Sequence, residues 1–320
     1  MRIRVWMVMV CFMASTFVWA QNFTPSRNVD FIVTNSPGGG SDICARVVAD
    51  IITKNNFVPK PVMVRNWTDG SGEVARASVS QMKPGVVTDH TLLKFNADDT
   101  INMCTNTDRR VQDFIHLALI ATDKHLFYGA KGSDLVTFKA VVDRIKGGKT
   151  VVVGGSRGTD PMIVDLLRKQ MGWTEAQMPY IQSSSTGDAI TQFLGKHLDL
   201  VISKPAAADP YVQSGDLIPF VAFATERFTG NLAAAPTLKE LGYKDIEFPN
   251  WRTIAVAKTM SAGAQAYWKG ILKKVVDTAQ WKNDYVKKFQ VIGLYMEEKP
   301  ATDYILGIQK DLLGLLGKSK

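Results

Sequence analysis

Histidine and cysteine are scarce in this chain. Its 320 residues carry four histidines, His90, His116, His125 and His197, and three cysteines, Cys11, Cys44 and Cys104. No CxxC, HExxH or comparable ligand spacing joins them, which argues against a metal centre, and no cofactor is expected. A G-x-x-x-x-G-K-[ST] phosphate loop is missing too, and the first glycine turn lacks the full dinucleotide spacing. There is no lysine or arginine block. The 38 basic residues are scattered among 30 acidic ones, so the formal charge of +8 describes a solvated basic surface rather than a nucleic-acid footprint. Low-complexity linkers and short-period repeats are absent, and so are long apolar runs, with one exception.

That exception is the N-terminus. Arg2 and Arg4 precede the uncharged run Val5–Val18, followed by Trp19-Ala20. The run falls short of the roughly 20 residues a membrane span needs. Residues 1–20 are therefore expected to be a signal peptide, removed after about Ala20. Losing two arginines and no acid, the mature chain would carry a formal charge of +6 (8 − 2) and be soluble and exported. Cys11 leaves with the signal. Export permits a disulfide between Cys44 and Cys104, whereas the apolar helix stripe around Cys44 favours a buried free thiol; the residues leave both open.

What is present is ordinary for a folded domain: 46% hydrophobic, 21% charged. The most informative stretch is Asn35-Ser36-Pro37-Gly38-Gly39-Gly40-Ser41-Asp42. It lies between a short strand, Val29–Thr34, and a helix whose apolar lines are Ile43/Val47/Ile51 and Cys44/Val48/Ile52. Strand, glycine turn and helix together place bare amides at a helix N-terminus, a site for a carboxylate or phosphate. Ser41 or Asp42 is the expected N-cap.

The same pattern recurs. Pro61–Asn66 reads as a strand, Gly70-Ser71-Gly72 opens a helix over Glu73–Met82 with Ser71 as its cap, and Thr91–Phe95 is a third strand. Such alternation implies a parallel sheet covered on both faces, with ligands at the carboxyl ends of its strands. Leu117–Thr122 and His125–Gly129 read as strands. A second series follows: a helix from Phe138, a strand at Thr150–Val153, a turn over Gly154–Thr159, then Asp160-Pro161 as N-cap and N1 of a helix Met162–Met171. Ser183–Gly187 precedes a helix at Asp188–Leu194, and Leu198–Ser203 is a strand ending at Lys204-Pro205. Ile218–Ala224 is another strand. Two successive α/β blocks suggest two lobes. The tail, from Trp251–Val256 through helices at Ala264–Thr278 and Ile305–Leu316, either forms a third block or rejoins the first; periodicity does not choose.

These residues resemble the periplasmic solute-binding proteins of tripartite tricarboxylate transporters, the Bug family. The anchors are Pro37–Asp42 with Ala45-Arg46 behind it, Val64-Arg65-Asn66 followed by Gly70-Ser71-Gly72, Thr91-Leu92-Leu93, Leu198-Asp199-Leu200, Ala235–Tyr243 and Asn250-Trp251. Their order and spacing span essentially the whole mature chain. The resemblance implies a two-lobed α/β flytrap, with lobe 1 over 21–125, lobe 2 over 126–248 and a return to lobe 1 over 249–320. It implies a periplasmic monomer that captures a small carboxylate (a di- or tricarboxylate or an aromatic acid) and delivers it to a permease of large and small subunits. Related proteins also serve in sensing, so transport and signalling are not separated.

Carried over residue by residue, the first-lobe contacts are Ser36, Pro37, Gly38, Gly39, Gly40, Ser41 and Asp42, with Gly70 and Ser71. Those of the second lobe are Ser156, Arg157, Gly158, Thr159 and Asp160, then Ser184, Ser185 and Thr186, then Ser203, Lys204 and Pro205. Hydroxyls and helix-terminal amides bond a carboxylate without a formal countercharge. Asp42, itself an anion, is better suited to capping than to ligand contact. The chain departs from the family where a histidine is common and Met162 stands, at the serine-rich loop after Tyr180, and at Arg252-Thr253 in place of a glycine. An inward-pointing Arg157 or Lys204 would favour a second carboxylate on the ligand.

One rival reading comes from Gly154-Gly155-Ser156-Arg157-Gly158, which spells the G-x-S-x-G of a hydrolase nucleophile elbow. Only His197 follows Ser156, poor spacing for a triad. A binding protein without chemistry of its own is the expectation.

Overall fold

The computed structural model describes residues 23–315 and 317–318; the expected signal peptide lies outside them. Strands and helices alternate from the start: β1 (Val29–Val33), α1 (Gly40–Lys54), β2 (Val62–Asn66), α2 (Glu73–Ser80), α3 (Val86–Asp89), β3 (Thr91–Asn96), α4 (Ala97–Asn106) and β4 (Phe114–Asp123). Next come β5 (His125–Ala130), α5 (Phe138–Lys146), β6 (Val153–Ser156), α6 (Thr159–Met171), β7 (Tyr180–Ser183), α7 (Thr186–Leu194), β8 (Leu200–Ser203), α8 (Pro205–Gln213) and β9 (Leu217–Phe223). β10 (Asn250–Ala257), α9 (Ala262–Asp277), a π-helical turn at Trp281–Lys287, β11 (Met296–Glu297) and α10 (Glu298–Leu315) complete the order.

These elements build two lobes, each around its own sheet. The first sheet has six strands in the order β2-β1-β3-β10-β4-β11, the second five in the order β9-β5-β8-β6-β7. β1 pairs in parallel with β2 and β3, and β6 with β7 and β8. β10 and β5 run antiparallel to both of their neighbours. β4 ends at Asp123 and β5 begins at His125, so the first crossing between the sheets is the single residue Lys124, and the chain returns between β9 and β10.

Period-two alternation puts Phe31 and Val33 on one face of the first sheet, against α1 and α9 through Cys44, Val48, Trp268 and Leu272. Ile32, Leu93 and Phe95 take the other face, beneath Ala75 and Val79 of α2 and Ile305 of α10. In the second sheet, Phe127, Val153 and Ile202 pack with α5 and α6, while Leu126, Tyr128 and Val201 pack with α7 and α8. Each such aliphatic or aromatic side chain contributes about 1.5–3 kcal/mol by leaving water. Cys44 and Cys104 are both buried free thiols.

Several local expectations need correcting. Neither Ser41 nor Asp42 caps α1; its N-cap is Gly39, with no side-chain cap. Ser71 does not cap α2 either: it adopts φ 60° and the cap is Gly72, where a Cβ would lie 2.5 Å from Thr34. Asp160 is not the N-cap of α6, which starts at Thr159 behind Gly158. The strand expected at Thr150–Val153 is β6, Val153–Ser156, so Gly154 and Gly155 lie in a strand rather than a turn. The reason is packing. A Cβ at Gly154 would meet Leu198 at 2.2 Å, and one at Gly155 would meet Ile202 and Tyr180 at 2.6 Å.

His116, on β4, is fully buried at the edge of the Phe95 ring, its Nε2 3.0 Å from the Val111 carbonyl oxygen. Burial pulls its imidazole down from 6.5 to about 4. Between those values the unfolded chain binds a proton that the native chain does not, so stability falls as pH drops from 6.5 towards 4. The loss expected from this residue is about 3 kcal/mol at most. His116→Gln should flatten that limb in urea titrations across the window.

Candidate functional site

At the carboxyl ends of the strands, helix N-termini from both lobes converge on a small cavity of about 20 Å³, a volume on the scale of one water. Gly39, Gly40 and Ser41 bring the start of α1, and Ser185 and Thr186 the start of α7. Ser156 is the last residue of β6, and Lys204 is the N-cap of α8, with Pro205 at N1. Asn35, Asn96, Asp98, Asn250 and Arg252 complete the wall.

Two features make the first-lobe side a receptor for negative charge. Among the described residues, no acceptor sits on the amides of Gly40, Ser41 and Asp42, because α1 has no side-chain cap and its first turn has no preceding carbonyls to use. Behind these amides lies the Arg252 guanidinium, 1% exposed, so close that a Cβ at Gly40 would sit 2.8 Å from Nη2. Arg252 donates through Nη2 to the buried Asp123 carboxylate. Its Nε and the Oδ1 of Asn250 are buried without a protein partner among the described residues. Asp42 serves the turn itself, accepting from Gly38 N at 2.9 Å and Asn66 Nδ2 at 2.9 Å. Ser41 Oγ accepts from Asn96 Nδ2 at 2.6 Å.

The second-lobe side is a buried charge cluster. Asp160 accepts at Oδ2 from Ser156 N (2.7 Å) and Ser156 Oγ (2.8 Å), and at Oδ1 from Lys204 Nζ (2.5 Å). His125 Nε2 lies 3.2 Å from Asp160 and 2.9 Å from Thr159 Oγ. Burial pushes the Asp160 carboxyl up, but Lys204 and His125 outweigh it and hold the group well below the usual carboxylate range. Burial likewise opposes charge on Lys204, and Asp160 and Asp98 overcome it and raise the ammonium above its ordinary value. For His125 burial wins, and the imidazole is depressed.

Between the lobes stands Asp98, on the first turn of α4. Its Oδ1 accepts from Thr159 N at 2.8 Å and Thr159 Oγ at 3.0 Å, across the cleft on α6. Met162 of α6 packs near Cys104, Ile101 and Leu312, and Arg157 Nη2 donates to Thr34 O at 3.4 Å. The lobes therefore meet in a closed arrangement.

Of the residues singled out in the sequence, Gly39, Gly40, Ser41, Ser156, Ser185, Thr186 and Lys204 line the cavity. Ser71, Arg157 and Gly158 face an adjoining open cleft of about 360 Å³ with Asn102, Met162 and Gln182. Thr159 and Asp160 lie behind the wall, bonded to Asp98 and Lys204. Pro37, Gly38, Gly70 and Ser184 are exposed, Ser36 is half-buried at the outside of the turn, and Ser203 and Pro205 are buried beside Lys204. Lys204 does point inward, but Asp160 and Asp98 already neutralise it. Asp98 and Arg252 carry most of the cavity's charge logic, and neither was singled out as a ligand contact. The Asn96-x-x-Asp99 capping box was a readable signal for α4.

Ser156 lacks the surroundings of a nucleophile. Its hydroxyl donates to Asp160, and among the described residues no histidine is its partner; His197 is exposed. Lys204 Nζ is 3.5 Å away, but as an ammonium locked to Asp160 it has no lone pair to accept the serine proton.

Residues 44–298 match the family model described as "Tripartite tricarboxylate transporter family receptor". A relative from Agrobacterium vitis, "UPF0065 protein in the TAR-I ttuE-ttuC' intergenic region", is 25% identical over 249 residues, covering 76% of this chain and 69% of its own length. Among solved structures, the periplasmic binding protein BugD superposes with a TM-score of 0.81 at 16% identity, over 92% of this chain and 97% of BugD. MatC of Rhodopseudomonas palustris, with bound malate, gives 0.76 at 17% identity, over 91% of this chain and 97% of MatC. No helix among the described residues is long and apolar enough to cross a membrane.

Proposed function

The chain belongs to the tripartite tricarboxylate transporter receptor family, and from that premise we propose that it is a periplasmic solute-binding protein that captures a small carboxylate between its lobes. The observation that carries this reading is the uncapped start of α1 facing the cavity, backed by the unpartnered buried Nε of Arg252. One carboxylate there would receive the Gly40 and Ser41 amides, the helix dipole and a guanidinium donor together. Thr186 at the start of α7 would close on the ligand from the second lobe. The protein then hands the ligand to a membrane permease of large and small subunits, and residues 1–20 serve as the export signal. The malate held by MatC supports a small organic acid as the ligand class. No chemistry on the ligand is required.

The lobes bury the ligand by closing, and a ligand that binds the folded protein but not the unfolded chain raises the melting temperature by mass action, more so the tighter it binds. A thermal-shift screen of residues 21–320 against a carboxylate panel is expected to yield at least one member that raises Tm. A panel that leaves Tm unmoved, confirmed by calorimetry, would overturn the reading. Ser41→Ala should weaken the best ligand by about 1–3 kcal/mol in titration calorimetry, since it removes a cavity-lining hydroxyl that accepts from Asn96 Nδ2 and would donate its own proton to the ligand.

A further inference from the structure

We propose that Asp98 is a resident carboxylate that fills the second-lobe anion subsite and restricts the ligand to a single carboxylate. This rests on the carboxylate-binding reading above and narrows it.

Asp98 does at α6 what a ligand's second carboxylate would do. Its Oδ1 takes both the amide and the hydroxyl of Thr159, and its Oδ2 lies 3.8 Å from Lys204 Nζ. The second lobe is shaped to admit it. Gly158 has φ +97°, and a Cβ there would fall 2.2 Å from Asp98 Oδ1, so the carboxylate presses against a position that only glycine can hold. Asp98 is itself buried and also lines the cavity, which places its charge between the ligand space and α6.

The charge count points the same way. The cations of the wall are Lys204 and Arg252, each already bonded to a carboxylate, Asp160 and Asp123 respectively. Neither therefore brings an unpaired positive charge to the cavity, whereas Asp98 is a carboxylate of the wall itself. A single incoming carboxylate is still accommodated, because the α1 amides are uncapped and the buried Arg252 Nε donor is without a partner among the described residues. A second carboxylate would meet Asp98 at close range in a poorly hydrated space, where like charges repel strongly.

Titration calorimetry with size-matched pairs tests this: isovalerate and 2-hydroxy-4-methylpentanoate, in which two methyl groups stand for the second carboxylate's oxygens, against malonate and malate, on mature wild type, Asp98→Ala and Asp98→Asn. Wild type is expected to bind a monocarboxylate at least 10-fold tighter than its dicarboxylate counterpart. Asp98→Ala should gain at least 10-fold for dicarboxylates without a matching gain for monocarboxylates. Asp98→Asn keeps an oxygen for Thr159 and guards against a folding defect; it should move the ratio in the same direction. A wild type that prefers dicarboxylates, or a ratio unchanged in both variants, would show Asp98 to be a structural latch only and overturn the proposal. Binding of neither class by any of the three proteins would instead remove the carboxylate reading and this inference with it.

Discussion

Asp160→Ala is expected to cost about 3–5 kcal/mol of folding stability, the usual consequence of deleting one partner of a buried ion pair. Asp160 and His125 are fully buried and Lys204 nearly so, and Asp160 is the hub of their contacts. Its removal leaves the Lys204 ammonium with Asp98 alone, at 3.8 Å, and strips the Ser156 amide of its acceptor. Denaturant titration of wild type and variant reads the loss directly. Pairing Asp160→Leu with Lys204→Met should recover much of it, because an apolar pair imposes no desolvation penalty. A single variant within about 1 kcal/mol of wild type would mean that water or rearrangement satisfies Lys204 cheaply. The pH dependence has a definite sign. The native Asp160 carboxyl is held below its unfolded value of 3.8, so its contribution is fully present above that pH and is lost as pH falls below it.

Arg252→Met should be the most damaging change to ligand binding and also a costly one for stability. It leaves Asp123, fully buried, without its cation, again about 3–5 kcal/mol. The two effects separate with Arg252→Lys. An ammonium can still neutralise Asp123, but it lacks the planar fork that serves Asp123 and the cavity together. Arg252→Lys should therefore fold near wild-type stability while losing roughly 10–100-fold in affinity for the best ligand of the panel. Unchanged affinity in Arg252→Lys would take the guanidinium out of the binding site and leave the α1 amides to act alone.

Both variants concern residues that sequence reading handled differently. Lys204 is legible as a strand-end charge next to Pro205, but its neutralisation is not, because Asp160 and Asp98 reach it from α6 and α4, elements whose packing the chain order does not disclose. Asp160-Pro161 read as N-cap and N1, a sound local rule. The structure instead begins α6 at Thr159, since the Asp160 side chain turns back to the Ser156 amide and to Lys204. The G-x-S-x-G stretch misled for a related reason. Its first two glycines answer to Leu198, Ile202 and Tyr180 pressing on β6, contacts that no window of neighbouring residues contains.

What the sequence determined by itself was everything governed by short range: the periodic stripes of α1, α5 and α9, the strand cores, and the glycine turn that leaves amides bare. Alternation of those elements was enough to imply α/β lobes, because period and turn chemistry are set by adjacent residues. Tertiary structure alone decided the cavity's charge. Residues 98, 123, 160 and 252 come from four separate elements and Lys204 caps a fifth, and only the meeting of two sheets makes their electrostatics a single problem. Coulomb energy depends on separation in space and on burial, neither of which is written along the chain.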